Sequence, residues 1–140
     1  IKTNEYQILY FLDKIIKYFH KNNLKKKVTI FGLSFKPNTD DLRESRGIML
    51  YKLLKYEGFS IKCYDPMDLK FTNDPIPYYQ NIEDSLEDSL AVIISVEDKE
   101  YEKLNIKTLK ENGIKAIFDG RNILKGRAQK LEGLDYFSIG

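Results

Sequence analysis

Between Asn4 and Phe19, the apolar residues Ile8, Leu12, Ile15, Ile16 and Phe19 recur at helical spacing. An α-helix closes one turn in about 3.6 residues, so these side chains share one face and predict an amphipathic helix. Asn22-Asn23 and the lysines Lys25 to Lys27 end it. Its apolar stripe has no partner within its own segment. The domain that follows, a preceding domain or a second subunit would have to cover it.

The pattern then changes. Val28 to Leu33 is a short run of β-formers without alternation, as expected of a strand buried on both faces. Ser45 is a candidate N-cap for a helix through Ile48, Leu50, Leu53 and Leu54 that stops at Gly58. A second strand runs from Phe59 to Tyr64 and ends at Asp65-Pro66, because proline has no N–H to give a ladder. Met67 to Tyr79 is turn-rich, and Asn81 to Ser89 reads as a short acidic helix. Leu90 to Val96 is the clearest core strand. Helical segments near Tyr101 to Leu104 and Ile106 to Asn112 follow. Then come a buried strand, Ala116 to Phe118, and a last short one, Tyr136 to Ser138. Strands alternating with helices predict an α/β fold. Its form is a mainly parallel sheet with helices on both faces, Rossmann-like in three α/β/α layers, preceded by the N-terminal helix.

Such sheets bind ligands beyond the carboxyl ends of their strands, so the residues just after each strand carry the functional information. After the first strand, Gly32 is the one glycine of Gly32-Leu33-Ser34-Phe35-Lys36. That is neither the G-x-G-x-x-G of a dinucleotide site nor a P-loop. Lys36 instead brings an ammonium that suits a phosphate or sugar oxygen. Asp40 to Ser45 leads into the next helix. Here Arg43 supports two readings, an anion contact or local ion pairing around an N-cap. After the fourth clear strand, Phe118-Asp119-Gly120-Arg121-Asn122 places an arginine near the crevice, where a ligand contact and a plain surface residue are both open.

Composition narrows the classes. At 140 residues, 42% hydrophobic and 31% charged, the chain fits one globular domain with a substantial core, and its apolar content argues against disorder. A net charge of +2 does not point to nucleic acid, and the ten tyrosines are scattered rather than arranged as a stacking platform. The single cysteine, Cys63, excludes an internal disulfide and fits a reducing cytoplasm; in its strand it reads as a core residue. His20, the single histidine, reads as a surface residue with no second histidine to share a metal. Glu97, Asp98, Glu100 and Glu102 read as a solvated helix start. No apolar run approaches the roughly 20 residues of a membrane-spanning helix, and no signal peptide is visible. A first residue Ile, not Met, reads as the start of a piece of a longer protein.

Taken together, the segment from Gly32 to Ser45 (GLSFKPNTDDLRES), Tyr64-Asp65-Pro66, Phe118-Asp119-Gly120-Arg121-Asn122-Ile123-Leu124 and Asn4-Glu5-Tyr6-Gln7 resemble the UDP-glucose/GDP-mannose dehydrogenase family over nearly the whole chain. The resemblance implies residues 1–24 as the end of the family's central linking helix and 25–140 as its C-terminal, UDP-sugar-binding domain. It implies an NAD-dependent oxidation of a sugar C6 alcohol to a carboxylate, in two steps through a thiohemiacetal and a thioester. The catalytic cysteine and the main NAD site would lie in other domains, so the chain holds no catalytic residue of its own. By position, Phe35, Lys36 and Arg121 match substrate-binding residues, and Arg43 matches an arginine that reaches NAD. Asp40 and Asp41 receive no catalytic role. The branch most resembled is UDP-glucose 6-dehydrogenase. GDP-mannose and UDP-N-acetylmannosamine dehydrogenases, or a non-catalytic nucleotide-binding module, are the alternatives. The resemblance further implies a cytoplasmic homo-oligomer acting on a UDP-sugar, with no nucleic acid or membrane partner.

Overall fold

Val28, Ile30, Phe31 and every residue from Ala91 to Ile94 are fully buried, as a strand covered on both faces requires. The computed structural model describes residues 4–34, 42, 45–71 and 74–139, the side chains of 4, 5 and 128–130 apart. Five strands form one sheet: β1 (Lys27–Phe31), β2 (Ser60–Tyr64), β3 (Ala91–Ile94), β4 (Ala116–Asp119) and β5 (Asp135–Ser138). Their order is β2-β1-β3-β4-β5, and every pairing is parallel, where the sequence predicted a mainly parallel sheet. The register pairs Phe31 with both Tyr64 and Ile94, Ile94 with Asp119, and Asp119 with Ser138. All five strands therefore finish in one level row, and the residues that follow them share one edge of the molecule.

Successive strand residues point to opposite faces. Ile30, Cys63, Ile93 and Phe118 face one layer, made by α1 (Asn4–Lys21) and α2 (Arg46–Tyr56). Phe31, Tyr64, Val92, Ile94 and Ile117 face the other, which holds Leu86 of α3 (Ile82–Leu86), Tyr101 of α4 (Lys99–Glu102) and Leu109 of α5 (Ile106–Glu111). The result is the three-layer α/β/α arrangement that the alternation predicted.

The apolar stripe of α1 finds its cover on this sheet. Phe11 meets Phe118 edge-on at 6.2 Å, Tyr18 meets Phe118 at 5.6 Å and Phe137 at 5.4 Å, and Phe19 meets Phe59 at 5.2 Å. Edge-to-face aromatic pairs add about 0.5–1.5 kcal/mol each beyond the area they bury. The Tyr18 hydroxyl donates to Asp135 at 2.7 Å, tying α1 to the edge strand β5. Tyr6, Leu9 and Tyr10 lie on the outer side and stay exposed.

Local chemistry sets the ends. Ser45 caps α2, its hydroxyl accepting from the Ile48 N–H at 3.1 Å. Gly58 leaves that helix at φ 90°, a left-handed conformation that glycine takes without strain. In the turn-rich segment after β2, Tyr79 pairs with Tyr64 as an isolated bridge and covers part of the outer edge of β2. A 3₁₀ helix over Lys125–Lys130, absent from the sequence reading, precedes β5.

Candidate functional site at the strand ends

The exit of β1 is closed by its neighbours. Gly32 has φ 103°, and a Cβ there would lie 2.5 Å from Val96 Cγ2. A Cβ on Gly47 would run into the Gly32 carbonyl oxygen, so the first turn of α2 sits directly on the end of β1. The Ser95 hydroxyl donates to that same oxygen at 2.6 Å. Ser45 donates to the Leu33 carbonyl at 2.6 Å, joining the segment entering α2 to the segment leaving β1. Both stems of the long motif are thus pinned together, and Leu42 within it packs on the α1–α2 core. Phe35, Lys36, Asp40, Asp41 and Arg43 lie outside the described residues.

Asp65 takes up the described N–H groups of this turn. Its buried carboxylate accepts from the N–H groups of Leu33 at 2.8 Å and Ser34 at 3.1 Å through Oδ2, and from Met67 at 2.9 Å through Oδ1. In a dinucleotide fold the N–H groups after the first strand face the pyrophosphate. Here a carboxylate has taken them, and Gly47 fills the close-approach position with backbone. The Leu33 and Ser34 N–H groups are therefore not free to meet a pyrophosphate.

The end of β4 is built differently. Asp119, with no exposed surface, accepts from the Arg121 N–H at 3.2 Å through Oδ1. Its Oδ2 accepts from the Leu124 N–H at 2.7 Å and the Tyr136 hydroxyl at 2.6 Å. Asn122 takes φ 58°, and its side-chain oxygen accepts from the Ile139 N–H at 2.9 Å. Gly120 leaves room for the Ile94 carbonyl oxygen, 2.8 Å from where a Cβ would stand. The turn that carries Arg121 is therefore held on both sides. The guanidinium reaches Glu97 at 3.6 Å, its side chain 32% exposed against 63% for Glu97.

Arg46, which the sequence reading passed over, also stands here. It opens α2, donates to the Gln7 side chain at 3.3 Å, and lines a small crevice with Ser95 and Gly120. Burial first, and then the Arg121 charge, lower its pKa below the usual arginine value. Arg46 at the start of α2 thus feels the charge of Arg121 after β4, an arrangement suited to an anion. The available signal was its place immediately after an N-cap, at the edge where strand ends gather.

The acidic run is a solvated helix start, as its sequence suggests, with Glu97, Glu100 and Glu102 exposed, and it also makes specific contacts. Glu97 pairs with Arg121, Asp98 caps α4 by accepting from the Glu100 N–H at 2.9 Å, and Glu100 accepts from Tyr64 at 2.7 Å. Cys63 is fully buried and burial pushes its thiol up to about 12, which suits a core residue and not a nucleophile. His20 is exposed. Among the described residues no cluster of His, Cys, Asp and Glu could hold a metal ion, and no helix is long and apolar enough to cross a membrane.

An all-parallel sheet between two helical layers, with an arginine on the turn after β4, defines a Rossmann-like α/β domain. Residues 29–126 match the UDP-glucose/GDP-mannose dehydrogenase family, UDP binding domain, and the chain belongs to that family. It is 31% identical over 148 residues to UDP-glucose 6-dehydrogenase TuaD of Bacillus subtilis, covering 100% of this chain and 31% of that protein. It is 31% identical over 143 residues to UDP-N-acetyl-D-mannosamine dehydrogenase of Methanocaldococcus jannaschii, covering 99% of this chain and 32% of that protein. The chain thus spans about a third of the length of these two relatives. Among solved structures, a UDP-glucose dehydrogenase from Pyrobaculum islandicum superposes with a TM-score of 0.70 at 29% identity, over 98% of this chain and 30% of that one.

Proposed function

We propose that this chain is the C-terminal, UDP-sugar-binding part of an NAD-dependent UDP-glucose 6-dehydrogenase, which oxidises the sugar C6 alcohol of UDP-glucose to give UDP-glucuronate. The observation that carries the reading is Arg121, held on a fixed turn at the strand-end row with a second arginine, Arg46, nearby. A diphosphate needs such cations, and arginine meets phosphate oxygens in pairs. Glu97 is mostly exposed and 3.6 Å from Arg121, so a ligand displaces it at little cost.

In this proposal Phe35 and Lys36, which lie between Ser34 and Ser45 in the sequence, complete the substrate contacts with Arg121. Arg43 reaches toward NAD, which a domain outside this chain binds, and the nucleophilic cysteine also lies outside it. Residues 1–24, with α1, are the end of a linking helix, and residues 25–140 are the binding domain. The whole enzyme is a cytoplasmic homo-oligomer acting on a nucleotide sugar, with no nucleic acid or membrane partner.

Replacing Arg121 with alanine in the full-length enzyme removes a charge-assisted contact of about 1.5–3 kcal/mol, so the UDP-glucose KM rises about tenfold or more. An unchanged KM removes Arg121 from the site. A UDP-N-acetylmannosamine dehydrogenase is the second reading, because the archaeal enzyme of that name is as similar as TuaD. Turnover measured on both UDP-sugars separates the two. Calorimetry in which GDP binds tightly and UDP does not would move the substrate to a third branch. The isolated chain is expected to show no dehydrogenase activity with UDP-glucose and NAD.

A further inference from the structure

We infer that Asp119 is the positioning residue for Arg121: its buried carboxylate sets where the guanidinium stands, and so sets the affinity for the nucleotide diphosphate. The inference rests on the reading of Arg121 as a ligand contact and extends it to a residue that touches no ligand. Asp119 ends β4 and accepts three hydrogen bonds, two from the turn that follows and one from β5. Oδ1 holds the Arg121 N–H at 3.2 Å, while Oδ2 holds the Leu124 N–H at 2.7 Å and the Tyr136 hydroxyl at 2.6 Å. Between these anchors the chain passes through the left-handed Asn122, whose side chain accepts from the Ile139 N–H. The backbone of Arg121 is thus fixed two residues from the sheet on one side and one residue from a second anchor on the other. A long side chain delivers its charge to one place only if its own backbone is fixed.

The two carboxylate oxygens have separable duties, which makes Asp119→Asn an informative variant. An amide must turn its NH2 toward one set of donors. Turned toward Oδ2's partners it would face the Leu124 N–H; turned toward Oδ1's it faces the Arg121 N–H alone. The longer Arg121 bond is the weaker one, so the amide turns there. The variant keeps the Leu124 and Tyr136 contacts and releases Arg121. The sign of the outcome separates positioning from plain electrostatics. A carboxylate acting through space repels a diphosphate, so neutralising it would tighten binding. Releasing the Arg121 backbone weakens it.

The test is calorimetric titration of the full-length enzyme with UDP, as a double-mutant cycle. Asp119→Asn is expected to weaken UDP binding about threefold or more, Arg121→Ala about tenfold, and the double variant no further than Arg121→Ala alone. Tyr136→Phe, which leaves the Arg121 N–H bonded, is expected to lower the melting temperature without changing UDP affinity. If Arg121→Ala weakens binding while Asp119→Asn leaves it unchanged or tightens it, the positioning role is overturned and the Arg121 reading stands. Equal losses in the presence and absence of Arg121 also overturn it. If Arg121→Ala itself has no effect, the ligand reading fails, and this inference with it. Should Asp119→Asn not fold, Asp119→Glu serves instead. It keeps the charge and moves the acceptor oxygen away from the Arg121 N–H, with the same weakening expected only when Arg121 is present. Unchanged affinity in that variant overturns the proposal.

Discussion

Asp65 and Asp119 close two strands of the same sheet, and each spends its carboxylate on backbone N–H groups. Burying a carboxylate is costly unless hydrogen bonds replace its water, and both aspartates accept three. The sequence marked both as strand-ending turn residues. It could not show that they organise the turns around the site, because their donors come from residues up to 32 positions away. From its place after a strand, Arg121 was open between a ligand contact and a surface residue, and the structure pairs it with Glu97. Arg46 was not legible, because its neighbourhood is assembled from α1, α2, β3 and β4. Cys63 provides a check at this scale. Its burial and raised pKa predict no labelling by iodoacetamide in the native protein and full labelling in denaturant, read by mass spectrometry. Rapid native labelling would contradict the packed environment given to β2.

The helices show where periodicity suffices as evidence. In α1 the residues of the helical stripe Ile8, Leu12, Ile15 and Phe19 are buried and Ile16 is half-buried, while Phe11 and Tyr18 join the buried set. Ile15→Ala is expected to cost about 2–5 kcal/mol in chemical denaturation, while Leu9→Ala, at a position 55% exposed on the same helix, changes stability by less than about 0.5 kcal/mol. Comparable losses at both positions would mean that α1 is not seated on this sheet as described. In α2 the start was legible from Ser45, yet the reason for Gly47 was not. Alanine is the better helix former by about 1 kcal/mol, so propensity alone predicts that Gly47→Ala stabilises. Its Cβ would meet the Gly32 carbonyl, so denaturation should show a loss of stability instead. The 3₁₀ helix escaped the sequence reading because Lys125–Lys130 carries no apolar repeat to announce it.

Across the whole molecule, the alternation of strands and helices was enough to give the α/β class and the three layers. Strand order was not legible. Placing β1 between β2 and β3 depends on crossovers and on which apolar faces meet across long separations, not on any local pattern. That order is what brings the β3 and β4 ends, with Ser95, Glu97 and Arg121, beside the start of α2. The proposed function requires that cations at this strand-end row hold the diphosphate of a sugar nucleotide. A crystal structure of the full-length enzyme with UDP bound tests it most directly. The prediction is that phosphate oxygens lie about 3 Å from the Arg121 guanidinium and the Lys36 ammonium. UDP bound elsewhere, or the two side chains turned to opposite sides of the sheet, would contradict it.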